Sequence, residues 1–338
     1  MLTIPEIEAA CRNSQPIPEA DAVYARVKLP LSIRLYPLGF PMDLCTNSAE
    51  VLEAATESWG AMRCLVETKP IQVRVCVLEG TSTGCPPTPV CRVQQHLFCF
   101  VADSENYGVS DMERGLSSLW LTQETLKHRR YLRFFFLECG AICLIATRLA
   151  TGVHAACVSR NGVGVLLCGD SGAGKTTLAY ACAKAGWTYV TDDGSFVVHG
   201  REDLLVTGNS SQVRFRPESK TLFPEIDGRD PMQRGEKGKP SIEINDADLG
   251  GITRAQSATV QYLVFLNRRE GENMPLRRYS KQVVREFLRQ GRFSPPEMLP
   301  LHYATIDRIL EAEVLELRYR DLDWAIEQLE TLVETEKP

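Results

Sequence analysis

The sequence predicts an α/β protein: an α+β N-terminal region over residues 1–148, followed by a mixed β-sheet domain over residues 149–338. Three observations lead there. Short runs such as residues 31–36 and Ile71–Leu78 alternate apolar and polar side chains with the period of a strand. The dipeptide Asn161-Gly162, set between two apolar runs, marks a β-hairpin. The second run of that hairpin leads into a glycine-rich loop and then into a stretch with helical periodicity.

Taken in order, residues 31–36 form the first strand, and Asn47-Ser-Ala-Glu50 offers a capping box to an amphipathic helix carrying Val51, Ala55, Trp59 and Met62. Ile71–Leu78 is a second strand, Gly80–Pro89 a turn-rich loop, and Val93–Ala102 a third strand. The longest apolar stretch, Tyr131–Leu149, is interrupted by Arg133, Glu138 and Arg148, which leaves an uncharged run too short to span a membrane. It reads as buried strands, with Phe134, Phe135 and Phe136 in the core. His154–Val158 and Val163–Cys168 are the arms of the hairpin. Gly174–Ala185 is a helix with Leu178, Ala181, Cys182 and Ala185 as its apolar stripe, stopped by Gly186. Thr188–Thr191 is a strand ending in Asp192-Asp193. Farther on come a buried strand at Val260–Leu266, a helix at Lys281–Gln290, a strand at Val314–Leu317 and a closing helix capped by Asp323, with Ala325, Leu329 and Leu332 inward.

Composition narrows the function. At 44% apolar and 24% charged, the 338 residues have ordinary globular make-up. A net charge of −5 and a pI near 5.7 leave no basic field for nucleic acid, and no basic patch stands out. Neither a nucleic-acid nor a membrane partner is expected. The N-terminus lacks the positive flank and apolar core of a signal peptide, so a cytoplasmic location is expected. The twelve cysteines are scattered, with no CxxC pair and no histidine at zinc-finger spacing, and most are expected to be small buried apolar residues. Cys85 and Cys91, flanking a proline-rich loop, are candidates for metal binding or oxidation, short of the four ligands that structural zinc takes.

Gly169-Asp-Ser-Gly-Ala-Gly-Lys-Thr176 fits the phosphate-binding pattern GxxxxGK[ST] at every fixed position, between an expected strand and an expected helix. Its glycines let consecutive N–H groups turn toward phosphate, and the helix N-terminus adds positive potential. The expected nucleotide-binding residues are Gly169, Asp170, Ser171, Gly172, Ala173, Gly174, Lys175, Thr176 and Thr177. Lys175 would reach the β- and γ-phosphates of ATP, and the Thr176 hydroxyl would ligate Mg²⁺. Asp192 and Asp193 follow at the end of the next strand, where one acid can hold Mg²⁺ and the other accept a proton. With Asn161 and Gly162 as the central turn residues, antiparallel register sets His154 opposite Gly169, beside the phosphate loop. Arg214 and Arg216 alternate on one strand face and are candidates for contacts to phosphate or substrate. Arg234-Gly-Glu-Lys-Gly-Lys239 has the composition of a lid, and Arg320 precedes the last helix.

A hairpin entering the phosphate loop, rather than a crossover helix, resembles the C-terminal kinase domain of the HPr kinase/phosphorylase family and its relatives on the phosphoenolpyruvate-carboxykinase-like P-loop fold. The matching elements are His154, the strand Gly162–Cys168, the phosphate loop, the helix Thr177–Gly186 and Asp192-Asp193. The resemblance implies that Asp192 is the general base toward a serine hydroxyl, that Asp193 assists with Mg²⁺, and that His154 belongs to the catalytic cluster with Lys175. It implies an ATP- and Mg²⁺-dependent serine kinase acting on a protein or peptide, and relatives that assemble as homo-oligomers. Thr176-Thr177 stands where the family continues with Ser-Glu, and no Glu-x-Arg-Gly-Leu-Gly signature is present. The chain is in this respect similar to divergent relatives, including kinases of lasso-peptide precursors. A nucleotide-binding regulatory module without transfer and a small-molecule kinase stay open as alternatives, as do GTP or pyrophosphate as donor.

Overall fold

The computed structural model describes residues 3–14, 27–231, 240–245, 250–267, 273–290 and 294–334. After α1 (Ile4–Arg12), residues 31–122 build a seven-stranded sheet from β1 (Leu31–Leu35), β2 (Met42–Thr46), β3 (Ile71–Leu78), β4 (Val90–Gln94), β5 (Leu97–Val101), β6 (Tyr107–Asp111) and β7 (Leu116–Thr122). Its order is β1-β2-β3-β7-β6-β5-β4, parallel at β2–β3 and β3–β7 and antiparallel elsewhere. The parallel step from β2 to β3 needs a crossover, which α2 (Ala49–Trp59) supplies, laying Val51, Ala54, Ala55 and Trp59 on the sheet.

The chain then turns helical through α3 (Gln123–Lys127), α4 (Arg129–Tyr131), a π-helical stretch at Leu132–Glu138 and α5 (Cys139–Arg148). This corrects the expectation of strands over Tyr131–Leu149. The buried apolar side chains there are Leu132, Phe136, Leu137, Ala141, Leu144 and Ile145, which recur at three- and four-residue steps (137, 141, 144; 132, 136; 141, 145) as one helix face requires.

The second sheet is larger. It takes β8 (Ala150–Val153), β9 (Ala155–Arg160), β10 (Val163–Cys168), β11 (Thr188–Thr191), β12 (Ser195–Val198) and β13 (Leu205–Thr207), while β14 (Gln212–Phe215) and β15 (Ile242–Asn245) pair separately. It is completed by β16 (Thr253–Arg254), β17 (Ser257–Asn267), β18 (Met274–Arg278) and β19 (Glu313–Arg318). The order is β16-β11-β9-β10-β17-β13-β12-β8, with β19 also along β17 and β18 along β19. Strands β10, β17 and β19 are parallel, whereas β9 runs antiparallel to both β10 and β11, so the sheet is mixed and the architecture α/β. One face packs on α6 (Lys175–Lys184) and α9 (Leu322–Glu334), the other on α7 (Lys281–Arg289) and α8 (Leu299–Ile309).

The two sheets touch. Ala150 and Val198 join the core of the first sheet, the Thr207 hydroxyl donates to the Leu38 carbonyl (3.0 Å), and the Gln256 amide bonds both backbone groups of Arg63 (3.0 and 2.9 Å). Among the described residues no helix is long and apolar enough to cross a membrane.

Other local expectations need correction. Val93–Ala102 is a hairpin, β4 and β5, because Gln95 turns the chain at positive φ. The capping box at residue 47 does not form: Ser48 is the N-cap, and the Asn47 amide instead bonds both backbone groups of Val77 across the sheet (2.8 Å each). Asp321, not Asp323, caps the last helix by accepting from the Trp324 N–H (2.7 Å). Ala185 is exposed; Ala179, Tyr180 and Ala183 are buried with Leu178 and Cys182, so nearly all of α6 lies in the core. Of the twelve cysteines, four are buried: Cys76, Cys157, Cys168 and Cys182.

Candidate active site

The hairpin register is as the Asn161-Gly162 turn requires: Val163 pairs with Arg160, Val165 with Val158 and Cys168 with Ala155. His154 immediately precedes Ala155 at the end of that pairing. At the end of β10 the chain leaves the sheet through Gly169 (φ 144°), Gly172 (φ 91°) and Gly174 (φ 95°), three positive-φ positions in six residues. Gly169 is also pressed close, since a Cβ there would lie 3.0 Å from both the Ala173 Cβ and the Leu266 carbonyl oxygen. Gly174 is the N-cap of α6, and the Tyr319 hydroxyl, just beyond β19, steadies the loop through the Ala173 carbonyl (3.5 Å). The first N–H groups of α6, which have no partner within the helix, open beside this bend.

Lys175 is buried, and its Nζ donates to the carbonyls of Gly169 (2.8 Å) and Asp170 (3.1 Å). Burial lowers its ammonium from the ordinary lysine range, while Asp193, Cys168 and Asp170 oppose that shift. Opposite the loop, β11 delivers the two acids into unlike settings. Asp192 is 7% exposed and accepts the Arg214 backbone N–H through Oδ2 (2.9 Å); burial pushes its carboxyl up to about 6. Asp193 is half-exposed and lies 3.1 Å from His154 Nδ1, and that hydrogen bond outweighs burial to hold its carboxyl below the ordinary range. Adjacent carboxyls are thus driven apart, one toward neutrality and one toward a permanent anion.

Both acids line a cavity of about 710 Å³ together with His154, Ser171, Gly172, Gly174, Lys175, Thr176 and Thr177. Of the residues expected from the sequence, Gly169, Asp170 and Ala173 are outside its lining: the first two hold Lys175 through their carbonyls, and the third shapes the turn. Arg214 and Arg216 both reach the cavity. The expected lid at 234–239 lies outside the described residues. Arg320 is placed elsewhere, with its backbone N–H on Asn273 (2.8 Å).

One lining residue was misjudged from the sequence. Phe134, expected in the core, comes from the π-helical stretch to the cavity wall, where the Arg214 guanidinium sits over its ring at 5.6 Å. The signal was present. Successive helical residues are about 100° apart, so three consecutive phenylalanines cannot all face one core.

For Mg²⁺ the residues present fit. The Asp193 carboxylate and the Thr176 hydroxyl are hard oxygen donors on one cavity, and His154 orients the carboxylate as an outer-shell partner does. Among the described residues no group of three or more His, Cys, Asp or Glu side chains is arranged to hold a metal, as Mg²⁺ shared with phosphate oxygens does not require.

No family model matches the chain, and no curated protein matches it. Among solved structures the chain is similar to the HPr(Ser) kinase/phosphatase from Coxiella burnetii, with 16% identity, a TM-score of 0.30, and coverage of 55% of this chain and 95% of that one. A likeness at that level assigns neither fold nor activity.

Proposed function

We propose that the chain is an ATP- and Mg²⁺-dependent phosphotransferase that passes the γ-phosphoryl group to a hydroxyl, a serine of a protein or peptide being the acceptor this reading favours. One observation carries it: a buried carboxyl, made a stronger proton acceptor by burial, shares a cavity with the lysine and glycine bend of a phosphate loop. In this reading the loop amides and Lys175 hold the phosphates, and Asp192 takes the proton of the acceptor hydroxyl. That oxygen bonds to the γ-phosphorus as the bond to the β-phosphate oxygen breaks and ADP leaves. Thr176 and Asp193 would hold Mg²⁺, which when bound neutralises charge on the phosphate oxygens. His154 fixes Asp193 for that task. The division into an N-terminal region (1–148) and a nucleotide-binding domain (149–338) belongs to the same proposal.

The test is transfer from γ-labelled ATP with Mg²⁺ to a serine-peptide pool and, separately, to a metabolite pool. Labelled peptide with wild type, reduced on the order of a hundredfold or more in Asp192→Asn, is expected. Label only in metabolites would make the chain a small-molecule kinase. ATP uptake with no transfer in either pool would make it a nucleotide-binding module, and no uptake would overturn the proposal.

A further inference from the structure

Part of the cavity wall is carried by strands outside the second sheet. Strands β14 and β15 form a two-stranded ribbon, and such a ribbon is marginal without support. Alternation along β14 turns Val213 and Phe215 into the core, where Phe215 meets the Tyr180 ring of α6 edge-on (4.9 Å), and turns Gln212 and Arg214 to the other face. Two backbone contacts tie β14 to β11 and to the acid beyond it: the Tyr189 hydroxyl donates to the Gln212 carbonyl (3.0 Å), and the Arg214 N–H donates to Asp192 Oδ2 (2.9 Å). Where the ribbon sits therefore decides how Asp192 is held.

The Arg214 side chain is where the N-terminal region reaches this ribbon. Its Nη2 donates to Gln212 Oε1 (3.3 Å) and its Nε lies 3.6 Å from Glu243 Oε1, the cross-strand neighbour on β15, while the half-buried Phe134 ring lies under the guanidinium at 5.6 Å. Phe134 is itself anchored. Its ring stands edge-on to Phe135 (4.8 Å), Phe135 packs on Tyr131 (5.0 Å), and the Tyr131 hydroxyl donates to the Pro87 carbonyl ahead of β4 (2.5 Å). The adjacent Arg133 donates to the Ser58 hydroxyl (2.8 Å) and pairs with Glu57 (3.4 Å), and Arg129 pairs with Glu57 (2.9 Å) and Glu53 (3.3 Å), all on α2. The ring is thus placed by the first sheet and its crossover helix, whereas the guanidinium it meets belongs to the residue whose N–H holds Asp192.

We propose that Phe134 is a positioning residue: through the Arg214 guanidinium, the N-terminal region holds the β14–β15 ribbon in the place where the Arg214 N–H fixes Asp192. The attraction of an arginine for an aromatic face biases the ribbon toward that place by about two- to thirtyfold. A leucine at position 134 keeps an apolar wall but has no such face, and a tyrosine keeps the face. For its effect on transfer the proposal rests on the reading of Asp192 as the proton acceptor; the effect on the ribbon does not depend on it.

The experiment follows hydrogen exchange of the full chain by mass spectrometry without nucleotide, and transfer kinetics in parallel. Phe134→Leu should speed amide exchange over residues 212–216 by about two- to thirtyfold and leave β3 unchanged, and Phe134→Tyr should exchange as wild type does. In an Arg214→Met background, where the cation is gone, Phe134→Leu should add little. With transfer, Phe134→Leu should lower kcat severalfold with KM for ATP within about twofold of wild type, and Phe134→Tyr should restore kcat. Unchanged exchange over 212–216 in Phe134→Leu, an equal rise in Phe134→Tyr, or an equal rise in β3 overturns the proposal, as does a loosened ribbon with undiminished kcat. A loosened ribbon in a chain whose wild type transfers nothing supports the positioning by Phe134 and counts against the reading of Asp192 alone.

Discussion

Replacing Asp192 with asparagine separates two properties that a functional carboxyl combines. The residue is 7% exposed, and burial moves its carboxyl from an ordinary 3.8 to about 6. Keeping it ionised at pH 7 therefore costs the folded state on the order of 3 kcal/mol. Asparagine removes that charge yet keeps an oxygen for the Arg214 N–H, so the variant should be more stable than wild type. At roughly 2.1 cal/mol/K per residue, a chain of this length has an unfolding entropy near 0.7 kcal/mol/K, and the gain corresponds to a melting temperature higher by about 4 °C. The sign follows from the raised value. Above about pH 6 the penalty is fully present; below about pH 4 the carboxyl is protonated folded and unfolded alike, and the penalty is gone. Melting curves of both proteins in a chelating buffer from pH 7 to 4 should converge as pH falls. A variant that melts at or below wild type at pH 7 would refute the claim that burial strains this carboxyl, and undiminished phosphoryl transfer would remove it as the proton acceptor.

Mg²⁺-ATP at a hundredfold excess over its Kd should stabilise the wild type by about 2.7 kcal/mol in a thermal-shift assay. Lys175→Met should abolish that shift, and an equal shift in both would mean the loop does not hold the phosphates. Gly164→Ala should destabilise by about 1–3 kcal/mol or more, since the added Cβ would sit 2.3 Å from the Thr259 carbonyl oxygen on β17. A denaturant midpoint equal to wild type would show that β17 yields. Burial would raise the Glu316 carboxyl, but hydrogen bonds from Asn267 (2.7 Å), Arg277 (2.6 Å) and Arg318 (3.1 Å) outweigh it and hold it low. Its contribution is present at neutral pH and lost as pH falls below about 4. Glu316→Gln should thus be weaker at pH 7 but lose less on acidification; parallel stability curves would contradict this.

The phosphate-loop half of the site was legible because its geometry is local. A two-residue turn fixes the register that ends with Ala155 opposite Cys168, next to His154, and a short helix and strand carry the chain from Lys175 to the acids. Arg214, by contrast, meets Asp192 through β14, which pairs with β15 some 30 residues later, and no spacing rule announces that partnership. Phe134 was missed because its run reads as strands, which hides the different directions its three phenylalanines take on a helix. Strands β6 and β7 went unseen for a different reason. Ser110 and Ser117 are fully buried and hydrogen-bonded to each other (2.7 Å), which puts polar residues on the inner face and blurs the alternation that marks a strand. Tyr131–Leu149 misled because it is apolar on more than one side, so that its three-and-four spacing was hidden among other hydrophobic residues.

The strand that feeds the phosphate loop has a consequence for how the chain is made. One flank of β10 is satisfied at once by its hairpin partner β9, but the other is covered only by β17, which ends at Asn267. At about 5–20 residues per second, roughly 5–20 s of translation separate the emergence of β10 from that of its second neighbour. Throughout that interval a row of backbone amides and carbonyls beside Val165–Leu167 stands open to other nascent chains. Ribosome-stalled chains halted near residue 200 should therefore aggregate more readily on release than chains halted after residue 320, and equal solubility of the two would count against this order of assembly.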